Sequence, residues 1–226
     1  MSLAWPIGNQ EANKLDRQFI LKRLSQIKAT TMLDTGSARC ELALVMAKQV
    51  GATEIHAIDI QTYDNECTKL DVHFTVGDLN KPFPHQSDYF DLVTSIHNIE
   101  HLTNTDGYLD EIYRVLKPGG LLMLETVNLA ALHYRLMLFF GFLPNCLAPS
   151  KFKISPFTGE HPLHPHKSVF TYKALIEVAR RHGFELISGK SHTIYPLPTF
   201  LGNAICKIWP NIGLFTSLLL RKPSES

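Results

Sequence analysis

The chain has 226 residues, 45% hydrophobic and 19% charged. That length is large for one ordinary domain and small for two, so a single α/β unit with an embellishment is expected, and the composition excludes extended disorder. Its 22 basic and 21 acidic side chains leave a formal charge of +1, so no broad basic field marks nucleic acid as a partner.

Leu15, Phe19, Ile20, Leu24 and Ile27 recur at helical spacing among basic residues and predict an amphipathic first helix. Met32-Leu33 reads as a short buried strand, Glu41 to Val50 as a helix stopped by Gly51, and Glu54 to Ile60 as the next strand. Val72 to Val76 is a third strand running into Gly77-Asp78, KPFPHQSDY a loop, and Phe90 to Ile96 a fourth strand. Leu109, Ile112, Tyr113 and Leu116 mark the apolar face of a helix that KPGG ends, and Leu121 to Thr126 is a fifth strand. Strands alternating with helices in this way predict a parallel sheet covered on both faces.

From about residue 128 to 167 the rhythm breaks into an apolar helix-like run and a Pro-, His- and Lys-rich stretch. An insertion of this length suits a lid or binding loop within a single domain spanning 1–226. A helix from Thr171 to Gly183, the strand FELISG and a final strand-like LFTSLLLRK complete the chain. The start, MSLAWPIGNQEANKLD, carries no secretory pattern, and the longest apolar runs fall far short of the ~20 residues that span a bilayer. Cys40, Cys67, Cys146 and Cys206 stand at no paired spacing, so a reducing cytoplasm is expected.

The chemistry concentrates where the first strand turns into its helix, the place at which a doubly wound sheet holds its ligand. Gly36 permits a tight bend, and the helix from Glu41 presents unpaired N–H groups. Asp59, 23 residues after Gly36, can accept both hydroxyls of a ribose, and Asp78 can accept from an adenine amino group. With Asp34 these carboxylates suit a cationic or polyhydroxylated cofactor better than a pyrophosphate. The loop MLDTGSARC has Ala38 and Cys40 where further glycines are expected, and Glu41 would put charge beside a pyrophosphate.

From about Met32 to Leu124 the chain resembles a class I, type-11-like S-adenosylmethionine-dependent methyltransferase of the kind found in ubiquinone and menaquinone biosynthesis. The resemblance rests on DTGSARC in part, and more on GDLNKPFPHQSDYFDLVTSIHNIEHL and YLDEIYRVLKPGGLLMLETVN. It implies a Rossmann-like α/β fold with a seven-stranded, mostly parallel sheet, an antiparallel last strand and helices on both faces. It implies that Asp34, Gly36, Ser37 and Ala38 line the methionine part of S-adenosylmethionine, Asp59 takes the ribose with Ile60 beside the adenine, and Asp78 and Leu79 face the adenine from the other side. Ser95, Ile96 and His97 would border the methyl group. The product would be S-adenosylhomocysteine.

Several residues keep two readings. His101 can serve as a general base toward a hydroxyl acceptor or stay structural beside Glu100. His133, Tyr134, His161 and His166 are candidates for acceptor contacts or for packing. HPLHPH, broken by prolines, predicts no metal. The apolar run from Leu129 to Leu143 reads as a core-covering helix rather than a membrane contact, though an exposed apolar side could receive a lipid-linked or aromatic acceptor. The expected partner is a small-molecule, lipid-linked or glycan-linked acceptor, with oxygen favoured as the receiving atom, and a homodimer is compatible with this. Two rival functions share the fold: a cofactor-binding or regulatory protein without turnover, favoured by the altered loop, and an NAD-dependent oxidoreductase, disfavoured by Glu41.

Overall fold

The computed structural model describes residues 10–61, 67, 70–144, 146–147 and 166–224, with side chains from residue 17 onward. The elements in order are α1 (Gln10–Leu24), β1 (Thr31–Thr35), α2 (Glu41–Val50), β2 (Glu54–Asp59), β3 (His73–Val76), β4 (Phe90–Ile96), a 3₁₀ turn (Ile99–His101), α3 (Thr105–Val115) and β5 (Leu116–Val127). Then come α4 (Leu132–Phe139), α5 (Tyr172–Arg181), β6 (Glu185–His192), α6 (Thr199–Ile208), a second 3₁₀ turn (Pro210–Ile212) and β7 (Phe215–Arg221).

The seven strands form one sheet in the order β3-β2-β1-β4-β5-β7-β6. The first five pair in parallel, and β7 runs antiparallel to both neighbours. Successive residues of a buried strand face opposite ways, so each strand feeds two cores. Leu33, Val93, Leu122 and Leu124 join Tyr108, Leu109 and Ile112 of α3 and Leu175 and Ala179 of α5 on one face. Met32, Leu92 and Met123 join Ile20 and Leu24 of α1 and Met46 and Val50 of α2 on the other. The chain leaves β1 toward β2 on one side and β4 on the other. This order reversal opens a crevice outside the carboxyl ends of β1 and β4.

Three expectations are corrected. Leu116 belongs to β5 rather than α3: it pairs with Phe90, the next pair is Leu92 with Leu121, and Lys117 to Gly120 bulge out between. That bulge lies at the amino ends of the strands, where Lys117 meets Asp91 at 2.6 Å and Asp91 accepts from the Thr30 and Thr31 amides. The second correction is α6, which the sequence pattern hid behind Pro198 and Gly202. Gly202 is needed there, since an added Cβ would lie 2.9 Å from the Ile194 nitrogen. The third concerns the cysteines: Cys40 and Cys67, 27 residues apart, form a disulfide. Their spacing carries no signal, but β1 and β2 are paired neighbours, so the segments that follow them meet in space.

Candidate cofactor and acceptor site

β1 delivers the loop to the crevice as a fully buried strand, TMLDT. The Gly36 amide donates to the Ile58 carbonyl at 2.8 Å, and Gly36 adopts φ +72°. An added Cβ at this position would come within 2.5 Å of Asn98 Oδ1. Ala38 and Cys40, the residues standing where glycines are expected, also take left-handed conformations, at φ +46° and +62°. Left-handed backbone costs a non-glycine residue ~1–2 kcal/mol. The loop thus keeps a glycine-type path at positions 36, 38 and 40. Two constraints hold it: the Ala38 amide donates to Asp59 Oδ2 at 2.9 Å, and the disulfide ties Cys40, the N-cap of α2, to Cys67.

The other implied cofactor residues gather round this loop at the carboxyl ends of the strands. Asp59 closes β2, its second carboxylate oxygen accepting from the Gln61 amide. Ile60 beyond it is 67% exposed. Asp78 accepts from the amide and side chain of Asn80, whose hydrogen bonds hold its carboxyl below the ordinary range. The Leu79 side chain packs into the core instead of pointing outward. Ser37 is buried, while Ile96 packs beside the second core at the end of β4.

A buried hydroxyl network under the loop had no sequence signal. The Tyr108 hydroxyl lies 2.6 Å from Thr35 Oγ1 and 2.7 Å from Ser95 Oγ, and accepts from Asn98 Nδ2 at 3.0 Å. Tyr108 carried no role in the sequence; the pairing of β1 with β4 brings its partners Thr35 and Ser95 together. Thr94 donates to Asp34 Oδ1 at 2.5 Å.

Burial pushes the Asp34 carboxyl up to about 7; the Thr94 hydrogen bond opposes this and the Asp59 charge adds to it. A folded value above the unfolded ~3.9 means that the folded state holds a proton the unfolded chain has lost. Asp34 therefore lowers stability progressively as pH rises from about 4 to 7, with no further effect above. His85 and His133, which burial lowers to about 4, act oppositely over much of the same window. The difference between wild type and Asp34→Asn isolates the carboxyl. Urea unfolding should show the variant gaining stability relative to wild type from pH 4 to pH 7; a gap independent of pH would refute the assignment.

Past the carboxyl end of β4, His97 takes φ +51° and donates its amide to the Glu125 carbonyl. Its ring stands 3.6 Å from Glu100 Oε1 and 3.7 Å from Glu125 Oε1. Glu100 is fully buried and accepts from Thr126 at 2.7 Å. Burial alone would raise its carboxyl, but His97 and the Thr126 hydroxyl outweigh this and hold it below the ordinary range. His101 lies edge-on to His166, ring centres 4.9 Å apart. Glu100, His101 and His166 each offer a ligand atom within 4.8 Å of one another, a donor set the sequence did not bring together. The amides of Lys167 and Ser168 donate to the Glu100 carbonyl, which pins the end of the insertion here.

The rings of His133 and Tyr134, at the start of α4, lie with centres 4.0 Å apart and tilted by 49°. Tyr134 is buried, and its hydroxyl is raised by that burial and by Cys146. His133 also meets Tyr195 at 5.6 Å. His161 lies outside the described residues. Among the described residues no helix is long and apolar enough to cross a membrane.

The methyltransferase-domain family model matches residues 10–188. The ubiquinone/menaquinone biosynthesis C-methyltransferase UbiE of Hydrogenovibrio crunogenus is 34% identical over 102 residues, covering 41% of this chain and 40% of its own. The mitochondrial ubiquinone biosynthesis O-methyltransferase of Rattus norvegicus is 33% identical over 70 residues, covering 31% and 20%. The matches thus span under half the length of these curated relatives. A solved 1,6-didemethyltoxoflavin-N1-methyltransferase from Burkholderia thailandensis, with bound S-adenosylhomocysteine, shares the fold at TM-score 0.60 and 15% identity, covering 95% of this chain and 80% of that one.

Proposed function

The chain belongs to the methyltransferase-domain family, and from that premise we propose that it moves a methyl group from S-adenosylmethionine to an oxygen of a small or carrier-linked acceptor. The carrying observation is the loop: residues 36, 38 and 40 all hold left-handed backbone although only one is glycine. A loop that tolerates such strain at Ala38 and Cys40 is a working variant of the glycine motif.

The donor set fits this cofactor. Asp59 and Asp78 bring carboxylates to the crevice, which favours a sulfonium and ribose hydroxyls and disfavours a pyrophosphate, while Asp34 is buried and bonded to Thr94. Asp59 would hold the ribose, Asp78 and Ile60 the adenine, and Gly36 to Ala38 with Ser95 to His97 the methionine part. When bound, the cofactor supplies an electrophilic methyl on a sulfonium, and alignment with the nucleophile can supply much of the rate. His101, over the acceptor side, would take the proton from an acceptor hydroxyl. The buried Glu100 lies near both His97 and His101. The segment from about 128 to 167 would act as the lid of a single-domain enzyme. Relatives acting on carbon and on oxygen both match; the histidine beside the site favours oxygen, since a hydroxyl gains most from a base.

Calorimetric titration with S-adenosylmethionine, S-adenosylhomocysteine and NAD tests the cofactor. Binding of the first two alone is expected, and Asp59→Ala should weaken it by about 10- to 100-fold, as expected for loss of charge-assisted hydrogen bonds worth about 1.5–3 kcal/mol. An unchanged dissociation constant in a folded variant would remove the ribose assignment. Failure of wild type to bind would favour a regulatory protein of the same fold.

A further inference from the structure

The charges of this chain are unevenly divided. Up to and including Glu125 there are 17 acidic and 11 basic residues; after it there are 4 acidic and 11 basic. No acidic residue occurs between Glu125 and Glu160 or between Glu185 and Glu225. These two acid-free stretches contain α4 and α6.

The same helices turn apolar side chains outward. On α4 and its C-terminal residue, Leu136, Phe139 and Phe140 stand at i, i+3 and i+4, and the two phenylalanines are 82% and 68% exposed. On α6, Phe200 and Ile208, eight residues apart and so on one face, are 79% and 89% exposed, with Trp209 exposed just beyond. The helices are neighbours: Leu132 and Ile205 pack on the small core of Ile194, Cys206 and Ile212. Arg135 of α4 also reaches the Asn211 carbonyl just past α6. Each helix already buries its other side, through Tyr134 and Met137 on α4 and Gly202 and Cys206 on α6.

We propose that the outward faces of α4 and α6 form a docking surface for an anionic lipid bilayer. Phe139, Phe140, Ile208 and Trp209 would enter the headgroup boundary, with Lys207 among the phosphates. Aromatic residues beside lysine and arginine, with no carboxylate between them, match the chemistry of such an interface. A protein partner of ordinary polar surface would not require the acidic residues to be missing. Docking is independent of methyl transfer and can be read without cofactor.

The test is cosedimentation of the full chain with vesicles of phosphatidylcholine alone and of phosphatidylcholine with about 30% phosphatidylglycerol. Wild type should partition into the anionic vesicles at least ~10-fold more strongly. Phe139→Ser/Phe140→Ser/Trp209→Ser should lose that binding by at least ~10-fold while its thermal midpoint stays near wild type. Lys207→Glu, a milder change, should lose about 5-fold on anionic vesicles and little on neutral ones. No binding by wild type, or binding unchanged in both variants, would overturn the proposal. So would a concentration-dependent dimer that the triple variant abolishes while neither protein binds vesicles, since the patch would then seat a second copy.

Discussion

Replacing Gly36 by alanine is expected to weaken S-adenosylmethionine binding by at least ~100-fold, or about 2.7 kcal/mol. Two independent costs combine. At φ +72° the new residue bears the left-handed penalty of ~1–2 kcal/mol, and its Cβ would sit 2.5 Å from Asn98 Oδ1. Asn98 cannot simply withdraw, because it is nearly buried and its amide is bonded to Tyr108. The loop must move instead, taking with it the Ala38 amide that meets Asp59. Gly36→Ala/Asn98→Ala should recover about tenfold by removing the clash and leaving the strain. Ala38→Gly, at φ +46°, should act in the opposite direction and stabilise the loop slightly. Calorimetric affinities and melting temperatures for the three variants check this. Wild-type affinity in Gly36→Ala would mean that the cofactor is not seated on this turn.

Reduction of the Cys40–Cys67 disulfide should cost about 3.5 kcal/mol of unfolding free energy, the chain-entropy value for a loop of 27 residues. Urea unfolding with and without dithiothreitol measures it. Cys67→Ser should lose a similar amount and become insensitive to the reductant. If dithiothreitol leaves the wild-type midpoint unchanged, the bond is not formed in solution and the left-handed turn at Cys40 stands without it.

Much of the architecture was legible because local pattern and burial agree. Glu41 to Val50 with Gly51 after it, and Phe90 to Ile96, emerged with the bounds their residues suggested. Leu116 misled because an apolar residue one turn after Ile112 satisfies a helical period and a strand start equally well. α6 was missed because Gly202 weakens the helical pattern for a reason, the closeness of Ile194, that only tertiary packing discloses. The placing of Asp34, Gly36, Asp59 and Asp78 at the carboxyl ends of neighbouring strands was legible through their order along alternating elements. Their supporting network was not. Thr35, Ser95, Asn98 and Tyr108 meet because β1 and β4 are adjacent, a fact of topology absent from any short stretch. The link of His101 to His166 spans a long insertion and likewise has no local trace.

Asn98 abuts Gly36 of the turn proposed to seat the cofactor, and Glu100, two residues later, lies beside His101 and His166, proposed to face the acceptor. On the proposed assignment, one short segment would border both ligands. If S-adenosylmethionine seats on this turn as proposed, a shift of Asn98 would reach Glu100 and its neighbouring histidines within the length of a dipeptide. The consequence is kinetic: the two ligands should enter in a preferred sequence, cofactor before acceptor, with the first completing the surface that the second meets.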